Sequence, residues 1–127
     1  MRREKRNDLR TTTTVSLQRL VRATMRFSPK RIIIGEVRGG EALELIKAWN
    51  TGHPGGVATI HANSAREGLQ RLEDLVREAT EAPMQKTIAA AVHFVVFIAK
   101  TGNGRRVEEL IRVHGFEAGS YQTTVEE

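Results

Sequence analysis

The sequence predicts an α/β domain of three layers, with a mainly parallel sheet closed by a β-hairpin. Short apolar runs rich in β-branched or aromatic residues lie at 31–37, 57–61 and 94–99, bounded by turn residues. Amphipathic helical stripes alternate with them, the pattern of strand–helix–strand units. Asn103-Gly104 near the end is a hairpin turn signal.

Residues 1–14 read as a basic, disordered segment ahead of the domain at 15–127. They end in four threonines and show no apolar period. Leu17, Leu20, Val21 and Thr24 then follow helical spacing, which predicts a helix over 15–25 that Ser28-Pro29 stops. The Ile32-Ile33-Ile34 run predicts a strand buried on both faces. Gly39-Gly40 makes a turn, and Ala42, Leu45, Ile46 and Trp49 restart a helical stripe that Gly52 ends. Residues 57–61 form a second strand. Ser64 and Glu67 form a capping box, in which hydroxyl and carboxylate each satisfy an open backbone N–H. Leu69, Leu72 and Val76 are the apolar stripe of the helix it opens. Pro83 suits the first turn of another helix, continued by Met84, Ile88 and Ala91. Residues 94–99 read as a buried strand, followed across the hairpin by a strand from 105 to about 113.

A chain of 127 residues can bury one modest core. Its 39% apolar and 28% charged content is ordinary for a soluble globular domain. No apolar run approaches the roughly 18 residues of a membrane span, and the polar N-terminus resembles no signal peptide. With no cysteine, disulfides and thiolate metal sites are excluded, and the four histidines show no zinc-ligand spacing. The net charge is +5, with Arg2, Arg3, Lys5, Arg6 and Arg10 crowding the start. Such an arm can attract nucleic acid or an anionic membrane. No aromatics interleave it and no DNA-binding motif accompanies it, so a solvated terminus without direct nucleic-acid binding is the plainer expectation.

Two segments can carry chemistry. In the first, Glu36 and Arg38 lie where the Ile32-Ile33-Ile34 strand runs out, the edge where ligands sit in open α/β sheets. A carboxylate there can order a water for attack on a phosphate or reach a magnesium ion through water; an arginine can offset phosphate charge. The alternative is a surface ion pair after a buried strand. In the second, a Gly/Pro-rich loop around His53 leads into a strand ending on Thr59 and His61. Polar groups at a strand end suit the sensing of a terminal phosphate, although a lone histidine there is more often a hydrogen-bonded structural residue.

Gly35-Glu36-Val37-Arg38-Gly39 resembles the Walker B motif of the type II/IV secretion (traffic) ATPases, which carry Gly-Glu where many P-loop proteins carry Asp. Thr51-Gly52-His53 through Thr59-Ile60-His61-Ala62-Asn63 is similar to their histidine box. The flanking runs Leu20-Val21-Arg22-Ala23-Thr24-Met25-Arg26 and Lys47-Ala48-Trp49-Asn50 are similar to the conjugative-transfer branch of that family, and the likeness covers about residues 9–121. The resemblance implies a RecA-like ATPase domain, ATP with Mg²⁺ as cofactors, and a homo-hexameric ring. It implies a cytoplasmic motor, peripheral to the inner membrane, that drives a secretion or conjugation channel. Carried over, Glu36 is the catalytic Walker B glutamate and His61 the histidine that contacts the γ-phosphate. Thr59, His53 and Arg38 are further candidates for phosphate contact, and Arg26 and Arg31 for a role across a subunit interface.

The chain departs from the family in one respect. A P-loop reads G-x-x-x-x-G-K-[ST], and no Gly-Lys pair occurs in these 127 residues. The resemblance therefore implies a C-terminal part of the ATPase core, inactive alone. The alternative is a non-catalytic truncated paralogue that docks on a full-length ring. Buried-type strands without all their neighbours also imply a chain of poor solubility.

Overall fold

The computed structural model describes residues 16–126. Helix α1 (Leu17–Thr24) starts at Ser16, whose hydroxyl accepts the Arg19 N–H at 3.2 Å. A single 3-10 turn, Met25–Phe27, follows, and Ser28 stops the helix in the left-handed region, with φ of 47°. Strand β1 (Ile33–Ile34) leads to helix α2 (Glu41–Asn50) and then to strand β2 (Val57–Ala58). Helix α3 (Ala65–Arg77) and helix α4 (Gln85–Ala91) precede strands β3 (Phe94–Thr101), β4 (Gly104–Glu117) and β5 (Ser120–Val125).

The capping box at α3 forms: Ser64 Oγ accepts the Glu67 N–H, and the Glu67 carboxylate accepts the Asn63 N–H, both at 3.1 Å. Pro83 lies two residues ahead of α4 rather than in its first turn, since Met84 is the cap.

Two sheets form. β1 and β2 pair in parallel through Ile33–Val57 and Ile34–Ala58. β3, β4 and β5 form an antiparallel meander, so the expected mainly parallel sheet is replaced by a small parallel pair and a larger antiparallel sheet. The two-residue loop Gly102-Asn103 joins β3 to β4, and Gly104 takes φ of 140°, a conformation other residues resist. β4 outruns the predicted strand, and β5 follows a tight turn at Ala118-Gly119 that the sequence reading missed.

The core lies where the helices meet the inward sides of the strands. Leu45, Ile46, Leu75 and Ile88 are its largest fully enclosed side chains, joined by Ile32, Ile34, Val37 and Val113. Asn50 on α2 donates to the Thr87 carbonyl on α4 at 2.8 Å. Arg22 on α1 pairs with Glu44 on α2 at 2.8 Å, and its hydrogen bond holds the Glu44 carboxyl below its usual range. Glu73, buried on α3, accepts the Tyr121 hydroxyl at 2.8 Å and fastens the last hairpin to that helix. Burial, with this hydrogen bond second, pushes the tyrosine pKa upward.

Neither strand expected to be fully buried is so. Ile33 on β1 is 72% exposed between buried Ile32 and Ile34. On β3, Phe94, Val96 and Ile98 alternate outward, and Val107 opposite Ile98 is outward too. Among the described residues the antiparallel sheet is covered by helices on its inner face only, which makes two layers there rather than three.

Ile46→Ala removes a side chain with no exposed surface and should cost about 2–5 kcal/mol in urea unfolding. Ile33→Ala should stay within about 0.5 kcal/mol. Equal losses would show that the outward face of β1 is covered in solution.

Candidate functional site

Parallel pairing brings the carboxyl ends of β1 and β2 to one edge. β1 runs out into Gly35 and Glu36, and β2 into Thr59, Ile60 and His61. The backbone ladder extends past the assigned strands. The Ile32 carbonyl accepts the Val57 N–H at 3.3 Å, and the Thr59 carbonyl accepts the Val37 N–H at 2.8 Å.

Thr59 makes a second bond, from its hydroxyl to the Gly35 carbonyl. It therefore grips the residues on both sides of Glu36. In this structure its hydroxyl holds backbone at the end of β1.

Arg38 Nη2 donates to Glu36 Oε2 at 2.5 Å. This hydrogen bond holds the Glu36 carboxyl below the usual carboxylate range. Partial desolvation opposes it, while the charges of Arg38 and, more weakly, His61 push the same way. The structure thus brings Glu36, Arg38, Thr59 and His61 together at one edge. His61 is exposed, as is most of the Arg38 side chain.

The turn after Glu36 is held from the other side by a residue the sequence reading did not single out. Glu41 Oε1 accepts the Arg38 N–H at 2.6 Å and the Gly39 N–H at 3.0 Å. An acid in the first turn of α2, two residues beyond a glycine, was the available signal.

His53 lies elsewhere. Its Nδ1–H donates to the Pro29 carbonyl at 2.8 Å, and its N–H to the Ala48 carbonyl at 3.2 Å. Pro29 precedes β1, so His53 ties the amino ends of the strands, opposite Glu36. Arg31 packs beside Gly55 on that side, and Arg26 is exposed on the 3-10 turn. Gly56 is pressed between the Trp49 indole and the Ile32 carbonyl, where any Cβ would collide with both. This close approach seats the glycine-rich loop against α2.

A cleft of about 330 Å³ lies between α3 and the β4–β5 hairpin, lined by Arg66, Gln70, Glu73, Arg77 and Tyr121 among others. None of the residues at the strand ends lines it.

Residues 3–110 match the family described as Type II/IV secretion system protein. The chain belongs to that family. It is 54% identical over 115 residues to conjugal transfer protein TrbB of Rhizobium radiobacter, covering 91% of this chain and 36% of that protein. It is 38% identical over 102 residues to the type IV secretion system protein PtlH of Bordetella pertussis, covering 75% and 30%. The crystal structure of the VirB11 ATPase from the Brucella suis type IV secretion system, in complex with sulphate, aligns with a TM-score of 0.71 at 29% identity, covering 76% of this chain and 32% of that one. The chain thus spans about a third of the length of the family members it matches. Among the described residues no helix is long and apolar enough to cross a membrane.

Two outcomes follow from the geometry. Arg38→Ala should raise the Glu36 pKa toward the ordinary carboxylate value of about 4.3, read by carbon-13 titration of its carboxyl. Because the folded pKa is depressed, the pair's contribution is present above that ordinary value and disappears as pH falls through the depressed one. An unmoved titration would mean the pair does not form in solution. Thr59→Val should cost about 0.5–1.5 kcal/mol in urea unfolding, and Thr59→Ser should recover most of it. If serine behaves like valine, the bond to Gly35 is not what stabilises the turn.

Proposed function

We propose that this chain is a catalytic part of a RecA-like ATPase core, one that powers type IV secretion or conjugative transfer. The observation that carries the reading is the convergence of Glu36, Arg38 and His61 at the carboxyl ends of two parallel strands, in a chain 54% identical to a conjugal transfer protein. The likeness to the VirB11 ATPase supports it further.

ATP with Mg²⁺ would supply the phosphoanhydride to be cleaved. The residues at the edge fit such a ligand in charge: a half-exposed carboxylate suits a metal-bound or attacking water, and an exposed guanidinium suits phosphate oxygens. Glu36 orients the attacking water and accepts its hydrogen bond. His61 donates to an oxygen of the terminal phosphate, and Arg38 offsets charge that develops there. His53, tied to Pro29, holds the opposite end of the strand pair and acts at a distance from the reacting atoms.

The family's working form, in this reading, is a homo-hexameric ring on the cytoplasmic side of the inner membrane, bound to channel proteins. The chain alone is inactive, because these 127 residues contain no Gly-Lys pair and so no P-loop to cradle the phosphates. A second reading, a non-catalytic paralogue docking on a full-length subunit, is favoured by one observation. Phe94, Val96, Ile98 and Val107 form an exposed apolar row on the sheet.

The test joins this chain to the preceding portion of the Rhizobium radiobacter TrbB and measures steady-state ATP hydrolysis and nucleotide affinity. Glu36→Gln should lower turnover about 100-fold or more, with affinity within about twofold. His61→Ala should lower turnover about tenfold and weaken discrimination of ATP from ADP. Turnover within about twofold of the parent in either variant would remove the role assigned to that residue.

A further inference from the structure

Glu41 combines two properties that rarely coincide. It opens a helix, where acids are common, yet it is only 6% exposed, where acids are rare. Burying a carboxylate is costly unless hydrogen bonds replace its water. Here Oε1 takes two backbone N–H groups, from Arg38 and Gly39. A carboxylate acceptor makes these stronger than bonds to a neutral group.

The two bonds fall at a revealing place. Residue 36 carries the carboxylate of the candidate site and residue 38 the guanidinium that pairs with it. Between them Val37 is buried, with its N–H on the Thr59 carbonyl. The turn from Gly35 to Gly39 is thus held at three points: Gly35 by the Thr59 hydroxyl, Val37 by the Thr59 carbonyl, and Arg38 with Gly39 by Glu41. Without the third point, the Arg38 and Gly39 N–H groups would lose their acceptor, leaving only the Ala42 N–H on the Gly39 carbonyl beyond Val37. The exposed Arg38 side chain would then have a looser base from which to meet Glu36.

We infer that Glu41 is a positioning residue for the candidate site: its buried carboxylate pins the turn that sets Arg38 against Glu36. The inference rests on the ATPase reading for its catalytic meaning, and on geometry alone for its structural part.

The charge of Glu41 and its reach can be separated by substitution, which allows a clean test on the chain itself. Removing a negative charge would not by itself raise the Glu36 pKa. Loosening the turn, and with it the Arg38 bond, would raise it. Arg38 and His61 act on Glu36 by charge, Glu41 acts on Arg38, and neither Arg38 nor His61 is replaced in the test. Glu41→Asp keeps the charge and withdraws the acceptor by one methylene. It should raise the Glu36 pKa and speed amide exchange at Arg38 and Gly39 about tenfold, with α3 and β4 amides unchanged. Glu41→Gln keeps an oxygen in place and removes the charge. It should leave the Glu36 pKa at or below the parent value.

An unmoved or lowered Glu36 pKa in Glu41→Asp would overturn the inference, as would faster exchange spread equally through α3 and β4. In the ATPase-competent chain joined to the TrbB portion, Glu41→Asp should lower kcat about tenfold with KM for ATP within about twofold. Parental kcat there, alongside an inactive Glu36→Gln, would also overturn it. Parental turnover in Glu36→Gln would instead overturn the ATPase reading, and the catalytic meaning of the turn with it.

Discussion

Thr59 uses both its backbone carbonyl and its hydroxyl on the neighbouring strand, at the residues that flank Glu36. That double bond fixes where β1 stops and how Glu36 leaves it. It is available only because β2 runs parallel to β1 and in this register. A parallel pair cannot be closed by a tight turn; it requires a crossover, and α2 provides one. α2 in turn stays in place because Ala42, Leu45 and Ile46 have no exposed surface and dock against α1, α3 and α4. At the far end, Gly56 under Trp49 and His53 on Pro29 seat the loop that starts β2. The site is therefore set by packing on one side of the strand pair and by hydrogen bonds at both of its ends.

The outward faces obey a different balance. β3 alternates half-covered Val95, Phe97 and Ala99 with exposed Phe94, Val96 and Ile98. Fully burying side chains of that size is worth roughly 1.5–3 kcal/mol each, so an apolar row left in water forgoes a large stabilisation. Charge partly guards it. Arg112 lies 4.8 Å above the Phe94 ring, and Lys100 pairs across the hairpin with Arg105. Positive groups along an exposed strand discourage self-pairing, and a cation over an aromatic face recovers some of the lost contact.

Much of this was legible in the residues. Ser64 with Glu67, and the stripes Leu17-Leu20-Val21, Ala42-Leu45-Ile46 and Leu69-Leu72-Val76 place three helices, because caps and helical periods are local signals. Asn103-Gly104 placed the hairpin, although the loop itself is Gly102-Asn103, one residue earlier. Burial of the strands was misjudged because three consecutive isoleucines are silent about what covers each face. Periodicity cannot separate a strand covered twice from one covered once when every position is apolar. β5, with Ser120, Gln122, Thr123 and Thr124, is too polar to declare itself; pairing with β4 makes it a strand. At the site, the sequence brought Glu36, Arg38 and His61 to one edge through strand polarity. It grouped His53 with them through motif proximity, whereas the chain direction of β2 puts His53 at the opposite end.

The pairing of Arg38 with Glu36 bears on what kind of chemistry the edge can support. A carboxylate held below its ordinary pKa is a poor proton acceptor at neutral pH, since a general base works best when its pKa lies near the working pH. Phosphoryl transfer asks little of a base, however, because its transition state is loose and the attacking water need not be deprotonated early. What the reaction does require is a fixed acceptor that aligns the water and positive charge near the phosphate oxygens. Glu36 on a backbone gripped on both sides meets the first requirement. In the proposed ATPase reading, Arg38 meets the second once its guanidinium moves from the carboxylate to a more highly charged phosphate. That exchange is inexpensive, because the arginine side chain is largely exposed and water screens the pair. The weakness of the pair thus serves the proposed function: it places the carboxylate, and it is too weak to hold the arginine against a phosphate.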